Sequence, residues 1–274
     1  MKIYRTIHGI VIENENVFYK VHKSNWDAFI NQPNLRQRII ATIDSSNQCT
    51  INEEDILPPI VNQELWACGV TYLRSKEGRE EESKTTGASD FYSRVYEAER
   101  PEVFFKATPH RVRGHKQLLR IRNDSEWNVP EPELTLVVNS NSKIVGYTIG
   151  NDMSSRSIEG ENPLYLPQAK TYDGCASLGP CILIQDDFPS VDDLIIMNIK
   201  RGGNIVFDGS VRIRQMKRSF DELVSYVFRE CSFPHGCLIM TGTGIVPPND
   251  FTLHHGDEVN IEIAGIGRLT NKIE

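Results

Sequence analysis

The stretch VPEPELTLVV, residues 129–138, decides how this chain is read. Two glutamates stand two apart, each after a proline, and lead into a run of Leu, Thr and Val. Such residues favour a strand. Strand side chains alternate between faces, so Glu131 and Glu133 point the same way. Like charges side by side destabilise each other unless something positive sits between them. By itself the pair also fits the solvent face of an edge strand, where proline is tolerated.

The stretch GYTIGNDMSSRS (146–157) favours the cation. Asp152 closes an apolar strand, a poor setting for a lone carboxylate. Glu131, Glu133 and Asp152 together would make an oxygen-rich site for a hard metal ion. Mg²⁺ keeps waters and leaves positions for a substrate, while Mn²⁺ or Ca²⁺ would suit the same ligands. A glycosidase fits less well, because its two carboxylates face a bond from opposite sides, about 5 Å or more apart. Lys170, in NPLYLPQAKTYDG (162–174), lies among Leu, Tyr, Pro and Ala. Beside a metal it is a candidate proton shuttle; the plainer reading is a surface lysine with a buried stem.

The rest of the chain bounds the function. Its 274 residues carry a formal charge of -7, which argues against a nucleic-acid partner. No apolar run reaches the roughly 18 residues needed to span a bilayer. The N-terminal stretch MKIYRTIHGIVIENEN has no apolar core or small-residue cleavage site, so a cytoplasmic protein is expected. None of the six cysteines has C-x-x-C spacing, so free thiols are expected rather than a zinc knuckle or redox pair.

Strands dominate after Pro101, divided by Asn, Gly and Ser turns, so the fold class is mixed and mainly β. Residues 1–60 read as a small N-terminal α/β domain. It holds two strands around a turn at 13–16 and a short helix interrupted by Pro33. Pro58 and Pro59 suggest the boundary with a catalytic domain over 61–274. The charged stretch TYLRSKEGREEESKTTGASD (71–90) is expected to be a solvated loop, a frayed helix or a mobile lid. A helix capped by Ser89 or Asp90 should follow. SFDELVSYVFREC (219–231) has the pattern of a capping box at Ser219 and Glu222, with a core stripe of Phe220, Leu223, Val224, Val227 and Phe228.

FFKAT, PEPELTLVV, GYTIGNDMSSRS, AKTYDGCASLGPCI, TGTG and GDEVNIEIAGIGRLTN together resemble the fumarylacetoacetate hydrolase family, over about residues 65–274 and in that family's order. The resemblance implies a β-roll catalytic domain and a divalent metal, Mg²⁺ or else Mn²⁺ or Ca²⁺, on Glu131, Glu133 and Asp152. It places Lys170 near the substrate as the catalytic residue. Arg156, Thr243, Tyr72 and Ser75 are expected to bind substrate, the last two from the lid motif. It further implies a small-molecule 2-oxo acid as substrate and a homodimer or homotetramer.

Hydrolytic members carry G-x-N-Y-x-x-H-x-x-E in the lid. Here GVTYLRSKEG puts Ser75 at the histidine position and Gly78 at the glutamate position. A serine hydroxyl has no useful basicity near neutral pH, so that route to activated water is expected to be absent. Glu80 or Glu81 could restore it. GVTYLRS, YEAERPEVFFKATPHRVRGH and SEWNVPEPEL resemble the branch of dehydratases acting on 2-keto-3-deoxy sugar acids such as 2-keto-3-deoxy-D-arabinonate. The expected reaction is enolate formation followed by loss of water, with Lys170 leading and Glu159 and Glu161 as weaker acid/base candidates. The alternatives are a C–C hydrolase, isomerase or decarboxylase of a 2-oxo acid, or a silent binder on an enzyme fold.

Overall fold

The computed structural model describes residues 1–22, 25–82, 89–188, 190 and 192–274. The chain opens with three antiparallel strands, β1 (Lys2–Thr6), β2 (Gly9–Asn14) and β3 (Val17–Val21), one more than the sequence suggests. Glu15 and Asn16, with φ of 51° and 64°, turn β2 into β3. Paired left-handed residues match a tight hairpin to the twist of its strands. Pro33 divides the next stretch into α1 (Trp26–Ile30) and α2 (Leu35–Thr42).

There follow β4 (Glu64–Gly69), α3 (Leu73–Glu82), α4 (Ser89–Glu97) and β5 (Glu102–Ala107). The charged stretch is therefore helical over α3. Residues 83–88, and the side chains of Ser89 and Asp90 expected to cap α4, lie outside what is described. Next come β6 (Pro132–Val138), β7 (Ile144–Asp152), α5 (Arg156–Glu161), α6 (Leu166–Lys170) and β8 (Ala176–Leu183). The chain ends with β9 (Leu194–Arg201), β10 (Asn204–Arg212), α7 (Phe220–Val227), β11 (Cys237–Met240), β12 (Glu258–Ile263) and β13 (Gly267–Ile273).

The larger sheet runs β3-β2-β1-β8-β7-β6-β11-β4-β5, with short strands at its margins. The N-terminal strands join it where β1 pairs antiparallel with β8. A second sheet runs β10-β9-β12-β13. Leu134 and Ile149 of the larger sheet pack with Met197, Val259 and Ile261 of the second in one apolar cluster. On the other side, Val137 joins a cluster with Ile3, Ile12, Phe29 and Ile39. Both faces of β6 are thus covered. All seven of its residues are buried, and it lies between β7 and β11 rather than at an edge. Pro132 is tolerated because it is the first residue of the strand.

In α7, Ser219 Oγ accepts the Glu222 amide at 3.2 Å, whereas the Glu222 carboxylate accepts from Arg218 at 2.6 Å. That is half of a capping box, because the neighbouring guanidinium outcompetes the Ser219 amide for the carboxylate. Leu223, Val224 and Val227 are buried as the stripe predicts. All six cysteines are free. Among the described residues no helix is long and apolar enough to cross a membrane.

Candidate metal centre

The pairing of β6 with β7 builds the centre. Pro132 lies opposite Asn151 and Glu133 opposite Gly150. One step outward, the Asp152 amide donates to the Glu131 carbonyl at 2.9 Å. Antiparallel pairing therefore sets Asp152 beside the two glutamates that alternation has already put on one face. One carboxylate oxygen from each of Glu131, Glu133 and Asp152 lies within 4.8 Å of the other two, and all three residues are buried.

Cations surround the triad. Lys170 ends α6, and its Nζ donates to Glu131 Oε2 at 2.6 Å, Asp152 Oδ2 at 3.2 Å and Ser154 Oγ at 2.6 Å. Arg156 donates to Glu131 Oε1 at 2.5 Å. Lys106 Nζ, fully buried, lies 2.5 Å from Asp152 Oδ1 and donates to the carbonyls of Met153 (2.8 Å) and Lys170. Arg79, on α3, pairs with Glu159 and lies 3.9 Å from Glu131 Oε1.

Burial alone would raise Glu131, but Lys170, Arg156 and Arg79 together hold its carboxyl far below the usual carboxylate range. Glu133 goes the other way. Burial, then the Asp152 and Glu131 charges, push it well above its ordinary value, despite the Gly242 amide that donates to it at 2.5 Å. Three carboxylates this close repel one another, and a cation held among them would relieve that repulsion. The three enclose a cavity of about 10 Å³, lined also by Gly69, Ser75, Arg79, Phe104, Lys170 and Thr243. That is room for about one water-sized particle. Hard oxygen donors around so small a space fit a magnesium-sized ion.

Two glycines are required here. Gly242 has a φ of 95°, and a Cβ there would lie 2.0 Å from Thr71 Oγ1. This left-handed turn aims its amide at Glu133. Gly69 yields its side-chain space to Glu102, whose Oε2 would stand 1.9 Å from a Cβ at 69.

The remaining sequence candidates divide. Ser75 lines the cavity, but its hydroxyl is tied to Tyr72, donating to the carbonyl at 2.7 Å and accepting the amide at 3.2 Å. Thr243 lines it as well, its hydroxyl engaged with the Ile245 backbone. Tyr72 is buried in the core between the sheets and does not line the cavity. Arg156 acts on Glu131 directly. Glu159 faces Arg79 rather than the triad, and Glu80 and Glu81 are engaged by Lys76 and Arg74 of their own helix.

Sequence reading passed over Arg79, Lys106 and Glu102. Glu102, Phe104 and Lys106 alternate along β5 and so share a face. Phe104 lines the cavity with its ring centre 5.6 Å from Lys170 Nζ, and Lys106 reaches Asp152. The pattern E-x-F-x-K was the available signal.

Residues 80–274 match the family described as fumarylacetoacetate (FAA) hydrolase C-terminal. A probable 2-keto-3-deoxyxylonate dehydratase of Haloferax volcanii is 51% identical over 216 residues, 78% of this chain and 73% of that protein. The 2-dehydro-3-deoxy-D-arabinonate dehydratase of Saccharolobus solfataricus is 44% identical over 227 residues, 82% of this chain and 76% of that one. A solved 2-keto-3-deoxy-D-arabinonate dehydratase complexed with magnesium and 2,5-dioxopentanoate superposes with a TM-score of 0.85 at 34% identity, covering 100% of this chain and 99% of that one.

Proposed function

The chain belongs to the fumarylacetoacetate hydrolase family, and from that premise we propose that it is a metal-dependent dehydratase of a 2-keto-3-deoxy sugar acid. The substrate would be 2-keto-3-deoxy-D-arabinonate and the products 2,5-dioxopentanoate and water. The observation that carries this reading is the buried triad of Glu131, Glu133 and Asp152 with Lys170 Nζ against two of its members. The named relatives support the choice of substrate class.

Glu131, Glu133 and Asp152 would hold magnesium. When bound, it supplies Lewis-acid stabilisation for the oxygens of a 2-oxo acid. Lys170 is the candidate to take the C3 proton, and to do so its Nζ, which here donates to Glu131, Asp152 and Ser154, must first release its ammonium proton. Loss of the C4 hydroxyl with that proton leaves a C3–C4 double bond. The C5 C–H proton then moves to C3, giving the C4–C5 enol, and the enol hydroxyl proton moves to C4 as the C5–O bond becomes the aldehyde carbonyl. Arg156 and Lys106 fix Glu131 and Asp152, so the ligand set is preorganised.

The lid favours elimination over hydrolysis. Ser75 offers only a hydroxyl already bonded to Tyr72, and a Cβ at Gly78 would meet Val246 at 3.1 Å. Glu80 and Glu81 are tied up on α3. The test is turnover of 2-keto-3-deoxy-D-arabinonate with and without Mg²⁺, following 2,5-dioxopentanoate through an aldehyde dehydrogenase. Metal-dependent product is expected. Cleavage of an acylpyruvate with no dehydration would overturn the reading.

A further inference from the structure

Ser75 and Arg79, both on α3, stand in the wall of the cavity, so whatever fixes α3 also sets the shape of the site. α3 and α4 pack against each other as a lid, which the chain enters at Thr71 and leaves at Glu99. Both ends meet Met216, Lys217 and Arg218. At the entry, Tyr72 forms an antiparallel bridge with Met216, and the Lys217 amide donates to the Thr71 carbonyl at 2.9 Å. These contacts are made by the main chain. At the exit, side chains hold. Lys217 Nζ donates to the Tyr96 carbonyl at 2.6 Å and to Glu97 Oε2 at 2.9 Å, and lies 4.3 Å from the centre of the Tyr96 ring. Arg218 donates to the carbonyls of Val95 (3.2 Å), Ala98 and Glu99 (3.0 Å).

A helix leaves its last carbonyls without donors from within, and a cation there also meets the negative end of the helix dipole. Arg218 answers both needs at the end of α4. Its guanidinium is buried, which an arginine rarely tolerates without a partner. Glu222 Oε1, at 2.6 Å, balances the charge and fixes the fork. Glu222 stands in the first turn of α7, whose Leu223, Val224 and Val227 pack with Cys68 of β4, Leu136 of β6 and Ile239 of β11. One guanidinium therefore ties the exit of the lid to a helix seated on the sheet that carries Glu131 and Glu133.

We infer that Arg218 is a positioning residue for the reaction. By clasping the end of α4 to α7, it holds α3 over the metal centre with Ser75 and Arg79 in the cavity wall. The inference takes its kinetic consequence from the dehydratase reading and its structural consequence from these contacts alone. Because the main chain holds the entry, removing the Arg218 side chain frees the exit only. A lid that is closed for a smaller fraction of the time lowers apparent affinity by that fraction, and leaves the chemistry of the closed complex as it was.

The experiment uses the magnesium-loaded full chain. Arg218→Ala should speed amide exchange across residues 73–82 and 95–99 by about tenfold or more, while β6, β7 and α7 keep their protection. KM for 2-keto-3-deoxy-D-arabinonate should rise by about fivefold or more with kcat within about twofold of wild type. Mg²⁺ affinity by calorimetry should stay within about twofold, because Arg218 bonds to α4 and α7 and not to the triad. Arg218→Lys keeps the charge and several donors, and should fall between wild type and Arg218→Ala in exchange and in KM. Where Arg218→Ala does not fold, Glu222→Gln, which loosens the guanidinium without removing it, carries the same comparison. Wild-type exchange in both lid segments, exchange that quickens equally in α7 and β6, or a loss of kcat at unchanged KM overturns the assignment. A wild-type enzyme that dehydrates no 2-keto-3-deoxy acid sinks the dehydratase reading and the kinetic role with it, and the exchange rates then decide the clasp by themselves.

Discussion

Lys106 Nζ sits 2.5 Å from Asp152 Oδ1, while Lys170 Nζ lies 3.2 Å from the other oxygen of the same carboxylate. Lys106 also donates to the Lys170 main-chain carbonyl. One fully buried lysine therefore fixes a candidate metal ligand and the backbone that carries the candidate base. Charges removed from water survive only when closely paired and hydrogen-bonded, and removing one partner typically costs 3–5 kcal/mol.

Lys106→Met should accordingly destabilise the protein by about 3 kcal/mol. It leaves Asp152 with one cation fewer and two carbonyls without their donor. Urea unfolding of the metal-free protein measures this. A change under 1 kcal/mol would mean that β5 does not anchor the centre as described.

Lys170→Met should retain Mg²⁺ binding and lose about 10²–10⁴-fold in dehydration kcat, the usual contribution of a positioned acid or base. Calorimetric titration with Mg²⁺ and steady-state turnover are the paired measurements. Loss of metal binding in step with activity would instead assign Lys170 to holding Glu131 and Asp152 in place.

How far the sequence discloses this centre depends on the range of each contact. Alternation along β6 puts Glu131 and Glu133 together, and the turn from an apolar strand marks Asp152. Those are local patterns. The apolar stripe of α7 and the break at Pro33 are equally local and equally visible. Lys106 and Arg79 come from β5 and α3, which reach the triad only through sheet order and lid packing; the E-x-F-x-K spacing shows a shared face of β5 but not what that face meets. Tyr72 is the converse case. It belongs to the motif that led to Ser75, yet its ring fills the space over Gly244 in the core between the sheets. The edge reading of β6 fails for the same reason, since the strand's neighbours β7 and β11 are set by long-range pairing.

Glu133 gives a pH dependence with a definite sign. Its folded value lies above the ordinary 4.5, so above about pH 4.5 the metal-free native state holds a proton that the unfolded chain has lost. This contribution to stability is fully present below 4.5 and is lost as pH rises toward the folded value. Magnesium binds the charged form and should reverse the trend. Thermal midpoints against pH in chelator and in Mg²⁺ should therefore diverge as pH rises. Glu133→Gln should remove the Glu133 part of the chelator slope and weaken Mg²⁺ binding. Parallel curves for wild type with and without Mg²⁺ would sink the linkage of Glu133 to the metal.

The pairing of Arg79 with Glu159 joins the lid helix α3 to α5 at full burial, with Arg79 also 3.9 Å from Glu131. Glu159 is thus better placed to orient Arg79 than to act as an acid or base. Glu159→Gln would leave a buried guanidinium with a weaker partner beside the triad. The lid helix should then open more readily, because local opening is governed by the contacts that close it. Hydrogen exchange across residues 73–82 should quicken by tenfold or more, while β6 and β7 keep their protection. KM for the substrate should rise more than kcat falls, since the pair holds Arg79 in the wall of the cavity. Unchanged exchange in α3 together with a collapse of kcat alone would return Glu159 to the list of acid/base candidates and remove its role as a latch.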